Sequence, residues 1–322
     1  MSTKQKLIIG SRGSMLALWQ SNYIKSTLEE LNPGLEVEII VIKTQGDIIQ
    51  NVALSKIGDK GLFTKELELA LCNGEVDLCV HSMKDLPTVL PEGLVIGPVP
   101  ERVLAYDALV APAGVKSLDD LGQGARIGTG SLRRRAQLNA LGKGFELVQL
   151  RGNLDTRIRK VEEGHLDAAI LAAAGILRLG WEERIAAVLP PDIMTPAVAQ
   201  GALALEMRLD DEATLELCSA LADADTERCV LAERHVMRVL EGGCQVPIGA
   251  HACLEEGCLK MAAMVAELDG GRVIRAAAEG QPEDSMQIAD QIVSDLLAQG
   301  ARAILDAARE QAGEDGSVVP LY

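Results

Sequence analysis

Four short runs hold the residues best suited to chemistry. In HSMKDLP (81–87) a cation, Lys84, stands beside a carboxylate, Asp85, directly after a run that reads as a strand. Open α/β sheets gather their ligands at such strand ends. A carboxylate placed there can stabilise a developing cation or move a proton; the plainer reading is a solvated turn that leaves through Pro87. In GTGSLRRRAQL (128–138) a glycine-rich strand end carries Thr129 and Gly130 into Ser131, which reads as a helix N-cap. Free N–H groups and the dipole make helix N-termini anion sites. Arg133, Arg134 and Arg135 fall in the first turn or so, where the dipole disfavours cations, so an anion is expected to compensate them; the alternative is a solvated basic face. RGNLDTRIRK (151–160) repeats the plan with Arg151 at a strand end and Arg157 in the next helix. Guanidinium groups grip carboxylates through two parallel hydrogen bonds. With Arg12 after the first strand and Arg178 after a later one, these groups point to a ligand carrying several carboxylates. In GGCQVP (242–247) Cys244 occupies a tight loop, although the common fate of Cys is to be buried and inert. His251, Cys253 and Cys258 follow, but Cys-x6-His-x-Cys-x4-Cys is no standard zinc spacing, and no metal is expected.

The rest of the chain must position these groups. At ~100–200 residues per domain, 322 residues allow two or three domains. Hydrophobic residues reach 48% and aromatics only 2%, so the cores must be aliphatic. A net charge of −16 repels phosphate backbones and anionic membranes, so neither nucleic acid nor membrane is an expected partner. MSTKQKLIIGSRGS lacks the long apolar core of a signal peptide. The longest apolar stretch, 168–177, is well short of the ~20 residues of a spanning helix. Seven Cys without framework spacing fit a reducing compartment. A cytoplasmic location is therefore expected.

Periodicity gives strand–helix–strand over 6–10, 14–31 and 35–43, which suggests a parallel α/β sheet. The stretch 44–61 is polar and long for a connection, as lids are. A helix at 62–74 and strands at 76–82, 93–100 and 107–112 follow. A second α/β set runs through 125–130, 131–141, 145–152, 153–164 and 167–172. The strand-like 202–207 stands alone after it and is free to return to the first sheet. Helical residues 211–240, a three-strand meander and helix-like 283–311 read as a separate α+β domain.

Taken together, the motifs resemble the porphobilinogen deaminase family. The resemblance rests on SRGSMLALWQ (11–20), KIGDKGLFTKELE (56–68), HSMKDLP, GTGSLRR, RGNLDTR, PAVAQGALALE (196–206) and EGGCQVPIG (241–249), in order and nearly end to end. It implies an α/β fold with two periplasmic-binding-protein-like lobes flanking a cleft, plus a smaller α+β C-terminal domain. The implied domains are 1–100 with about 200–220, then 101–199, then 221–322.

The implied activity is that of a transferase of tetrapyrrole (heme and chlorophyll-type) biosynthesis. It joins four porphobilinogens into hydroxymethylbilane and releases ammonia. Growth starts from a dipyrromethane cofactor bound as a thioether to Cys244. The resemblance makes Asp85 the catalytic carboxylate. It sets Lys84, Asp85, Thr129, Gly130, Ser131, Arg133, Arg134 and Arg157 around the cofactor. Arg12, Ser14, Arg151, Arg157, Arg178 and Gln200 fall to the substrate, and Lys60 and Phe63 to the active-site loop. It further implies a monomer. The chain departs from the family where Gly130 replaces a usual Ser, Tyr106 an Arg, and Asp155 a common Gly. The rival reading is a non-enzymatic bilobal binding protein for a polycarboxylate, which would need neither Asp85 nor Cys244.

Overall fold

Strand order, more than helix content, organises this chain. A computed structural model describes residues 4–48, 63–241 and 246–314. These divide into two units: 4–48, 63–103 and 201–228 form the first, and 104–200, 229–241 and 246–314 the second.

The first unit begins with β1 (Lys6–Ser11), α1 (Met15–Leu31) and β2 (Glu36–Val41), followed by a single turn, α2 (Gln45–Ile48). Ser14 caps α1, its Oγ accepting the Ala17 amide at 3.3 Å. Next come α3 (Lys65–Cys72), β3 (Leu78–Ser82) and β4 (Leu94–Ile96). The sheet order is β2-β1-β3-β10-β4, where β10 (Leu203–Arg208) comes from far along the chain. β1 runs parallel to β2 and β3, whereas β10 is antiparallel to both β3 and β4. The sheet is therefore mixed, not the parallel one that the first strand–helix–strand run suggests. One face buries Leu7, Ile9, Val80 and Leu205 under α1 and α7 (Glu212–Cys218). The other packs Cys79 and Leu94 against Leu67 and Leu71 of α3.

The second unit repeats the plan. Its larger sheet has the order β7-β6-β8-β5-β9, from β5 (Asp107–Val110), β6 (Arg126–Gly128), β7 (Glu146–Val148), β8 (Ala168–Ala172) and β9 (Ala187–Leu189). Again one strand, β5, is antiparallel to both its neighbours, β8 and β9, while the other four run the same way. α4 (Leu132–Ala140), α5 (Leu154–Glu162) and α6 (Ala173–Arg178) connect them. β9, three residues long, is too short for periodicity to reveal.

α8 (Ala224–Val239) leads to an antiparallel meander of β11 (Ile248–Glu255), β12 (Cys258–Ala266) and β13 (Val273–Gly280). α9 (Ser285–Ala298) and α10 (Ala301–Glu314) follow. The 283–311 run is thus two helices, broken at Gly300, whose φ of +93° suits glycine. The 211–240 run is likewise two, α7 and α8. The α/β class, with two like lobes and a smaller α+β part, agrees with the sequence reading.

Candidate functional site

In the first unit, β1 and β3 end side by side, which brings their following residues together. A pocket there is lined by Arg12, Ser14, Gln20, Phe63, His81 and Asp85, among others. Asp85 ends a one-turn helix that continues β3. It is exposed and has no hydrogen bond or ion pair among the described residues. The Arg12 guanidinium lies 4.3 Å from the centre of the Phe63 ring, a cation–π contact that steadies a long side chain. Gln20 is buried and donates to Ser82 Oγ at 2.8 Å. Lys84, next to Asp85, is half-buried.

In the second unit the arginines separate into two kinds. Arg133 and Arg134, in the first turn of α4, are buried and meet Asp107 at the start of β5. Arg133 Nη1 donates to Asp107 Oδ2 at 2.8 Å and to the Thr195 carbonyl at 2.6 Å. Arg134 donates to Asp107 Oδ1 from Nε at 3.1 Å and from Nη2 at 2.6 Å, and to the Ile170 carbonyl at 2.9 Å. Gln200, fully buried, donates to the Ala105 carbonyl at 2.7 Å and to Asp107 at 2.9 Å. Burial alone would raise Asp107, but the charges of Arg133 and Arg134 outweigh it and hold the carboxyl well below the usual range. The anion expected to offset two cations at a helix N-terminus is therefore supplied, for this pair, by the chain itself. Gln200 serves the same network, with its side chain turned inward.

Arg151 is the other kind. Its Nε and Nη2 are buried with no hydrogen-bond partner among the described residues, and burial without a counter-charge pushes its guanidinium down. Thr129 Oγ1 accepts the Ser131 amide at 3.3 Å, and Ser131 Oγ accepts the Arg134 amide at 3.4 Å, so both hydroxyls order the loop. A Cβ on Gly130 would lie 2.8 Å from the Leu150 carbonyl oxygen. Arg157 Nε donates to the Gly152 carbonyl at 2.7 Å, and Arg178 is buried in the last turn of α6. Asp155 lies in the first turn of α5, where a negative charge suits the dipole. Tyr106 packs its ring 5.3 Å from that of His251.

Lys60 and Cys244, with most of the 44–61 stretch, lie outside the described residues. The expectations placed on them have no structural counterpart. Among the described residues no three His, Cys, Asp or Glu side chains form a group that could hold a metal. The orphaned donors of Arg151, with the Nε of Arg133 also unpaired, fit a ligand rich in carboxylates such as the dipyrromethane the sequence implies. Sequence reasoning missed Asp107, Glu206 and His81, each set in a strand interior or end where burial hides its charge; only the oddity of a charged residue in an apolar run marks the first two.

Comparison with known proteins bears on the same residues. The family description "Porphobilinogen deaminase, dipyromethane cofactor binding domain" matches residues 7–216, and "Porphobilinogen deaminase, C-terminal domain" matches 227–298. A porphobilinogen deaminase of Desulforamulus reducens is 49% identical over 97% of this chain and 100% of its own. One from Syntrophobacter fumaroxidans is 49% identical over 94% and 98%. Among solved structures, the L-cystine solute receptor of Neisseria gonorrhoeae is 16% identical over 68% of this chain and 86% of that one, with a TM-score of 0.39. Similarity to full-length relatives at this level, together with two family descriptions in register with the two ends of the fold, establishes that the chain belongs to the porphobilinogen deaminase family.

Proposed function

We propose that this chain is a transferase that joins porphobilinogen units head to tail into hydroxymethylbilane and releases ammonia. Growth proceeds from a dipyrromethane held as a thioether by Cys244. The observation that carries this reading is Asp85: an exposed carboxylate without a partner among the described residues, at a strand end, in a pocket that also holds Arg12. A charge left unneutralised by the protein is available for one that develops in the reaction.

The residues divide the work. Arg12 and Arg151 bind the acetate and propionate groups, each charge-assisted bond contributing about 1.5–3 kcal/mol. Arg157, Arg178 and Lys84 add positive charge as negative charge accumulates, and Ser14, Thr129, Gly130 and Ser131 shape the loops that present it. Asp107 keeps Arg133, Arg134 and Gln200 in place. Phe63 steadies Arg12, and the resemblance gives Lys60 a part in the same active-site segment. Asp85 stabilises the cation left on the substrate when its carbon–nitrogen bond breaks, and holds the proton that must later leave. The dipyrromethane supplies the nucleophilic pyrrole carbon at which growth begins.

The reading includes the division into domains at 1–100 with about 200–220, 101–199 and 221–322, and a monomer in the cytoplasm. In support, no helix among the described residues is long and apolar enough to cross a membrane. A purely binding role is not favoured, because it leaves Asp85 and Cys244 without a task. Intact mass spectrometry tests the proposal. The purified chain should exceed its sequence mass by two porphobilinogens less two ammonia, and Cys244→Ala should lose both the excess mass and the turnover. A bare sequence mass in an active wild type would overturn the attachment.

A further inference from the structure

His81 lies four residues before Asp85 and lines the same pocket, yet the roles above leave it unused. It is only 6% exposed. Behind it on β10, Glu206 is fully buried, with Oε2 3.0 Å from His81 Nε2. The ladder sets this diagonal: Ala204 faces His81 and Glu206 faces Cys79, so both side chains lie on one side of the sheet. The approach is off the line a hydrogen bond needs, and neither Glu206 oxygen accepts a hydrogen bond among the described residues. The His81 imidazole is the one basic group within 4 Å of the Glu206 carboxylate there.

The surroundings sharpen the oddity. From α3, Glu68 faces the pair, its carboxyl pushed up by burial and by the charge of Glu206; Thr64 and His81 act in the opposite sense. Glu66 is adjacent, with a buried oxygen lacking a partner. On β3 itself, burial and Glu206 raise the Cys79 thiol well above its usual value. Arg208, further along β10, is engaged with Asp211 and the Leu71 and Val76 carbonyls. From the pocket side come Arg12 and Asp85. A carboxylate buried beside an imidazole is rarely worth its desolvation for stability alone, since apolar side chains of similar volume fill the space at least as well. A carboxylate set behind an imidazole at a pocket wall is, by contrast, how a general acid–base group is oriented.

We propose that His81, held by Glu206, is a second proton-transfer residue of the condensation, working beside Asp85. The inference rests on the function proposed above. In each condensation the substrate's aminomethyl carbon–nitrogen bond breaks and its electron pair leaves on ammonia. One carbon–carbon bond forms, and the proton displaced from the pyrrole carbon passes by way of Asp85 to the His81 imidazole. The aminomethyl group enters protonated and is released as ammonia; His81 hands the pyrrole proton to that ammonia, giving ammonium, and no redox partner is involved.

The test compares wild type, His81→Gln and Glu206→Gln by intact mass, thermal melting and porphobilinogen consumption from about pH 5 to 8, the range in which an unperturbed imidazole changes charge. Both variants are expected to keep the added mass. Turnover of His81→Gln should fall about 100-fold, with loss of one limb of the pH–rate profile. Glu206→Gln should shift that limb with a smaller loss. An unchanged profile shape in either folded variant overturns the inference. Should the variants not fold, 15N-histidine spectra of the wild type decide instead. The chain has only four His, and His165→Gln, His235→Gln and His251→Gln assign the fourth signal. That signal should shift when porphobilinogen is added, and a signal indifferent to substrate overturns the inference. A wild type that consumes no porphobilinogen refutes the function reading itself, an outcome distinct from an active enzyme indifferent to His81.

Discussion

Replacing Asp107 by Asn separates structural from ligand-facing arginine chemistry. Asp107 receives four hydrogen bonds, at 2.8 Å from Arg133, 3.1 and 2.6 Å from Arg134 and 2.9 Å from Gln200. Asn keeps the shape and one acceptor oxygen, but it turns an NH2 group toward guanidinium donors and strips two buried cations of their counter-charge. Breaking a buried pair from one side costs about 3–5 kcal/mol. At about 2–4 °C per kcal/mol for domains of a few hundred residues, the melting temperature should fall by roughly 6–20 °C.

The pH dependence has a definite sign. The folded carboxyl is held below its unfolded value, so its contribution is fully present above about pH 4 and fades as acid protonates it. The gap between wild type and Asp107→Asn should therefore be flat from pH 8 to about pH 5 and narrow only in stronger acid. Differential scanning calorimetry across that range measures it. Arg126→Leu is the control: its pair with Asp167 is about two-fifths exposed on each side, and such pairs contribute about 1 kcal/mol or less. An Asp107→Asn loss no larger than the control's, or a gap that closes as pH rises, would refute the reasoning.

Asp85→Asn should leave melting unchanged, since Asp85 has no partner to lose among the described residues, while porphobilinogen consumption falls by orders of magnitude. Arg151→Leu should likewise fold normally, because the orphaned guanidinium stabilises little. It should purify without the added mass or stall part-way, visible by mass spectrometry; normal mass with unaltered kinetics would count against it. Gly130→Ser restores the family's usual residue, yet its Cβ would lie 2.8 Å from the Leu150 carbonyl oxygen. It should cost about 1–3 kcal/mol in chemical denaturation through the backbone shift it forces.

The strand-end motifs were legible because local sequence makes them: a β-branched run, a break, then a polar group, as at Asp85, Ser131 and Arg151. What stayed hidden was pairing at a distance. Arg133 and Arg134 read as a pair awaiting an anion because Asp107, 26 residues earlier, approaches them only once β5 has entered the sheet antiparallel to β8. The same reason hid Glu206 from His81, whose strands are joined by the whole second set of elements. The parallel expectation for the sheets failed at β5 and β10 because local strand–helix–strand order carries no information about a strand arriving from elsewhere.

That late arrival has a consequence for biogenesis. Ser82 pairs with Leu203, about 120 residues further on. At a ribosomal pace of roughly 5–20 residues per second, the gap between β3 and β10 lasts roughly 6–24 s. Throughout that interval the nascent first lobe has β3 with an unpaired edge, the kind of edge that invites association with other chains. Synthesis thus leaves a window in which the sheet is incomplete and its edge is open to other chains. Truncation anywhere before β10 should leave the first lobe aggregating rather than folded.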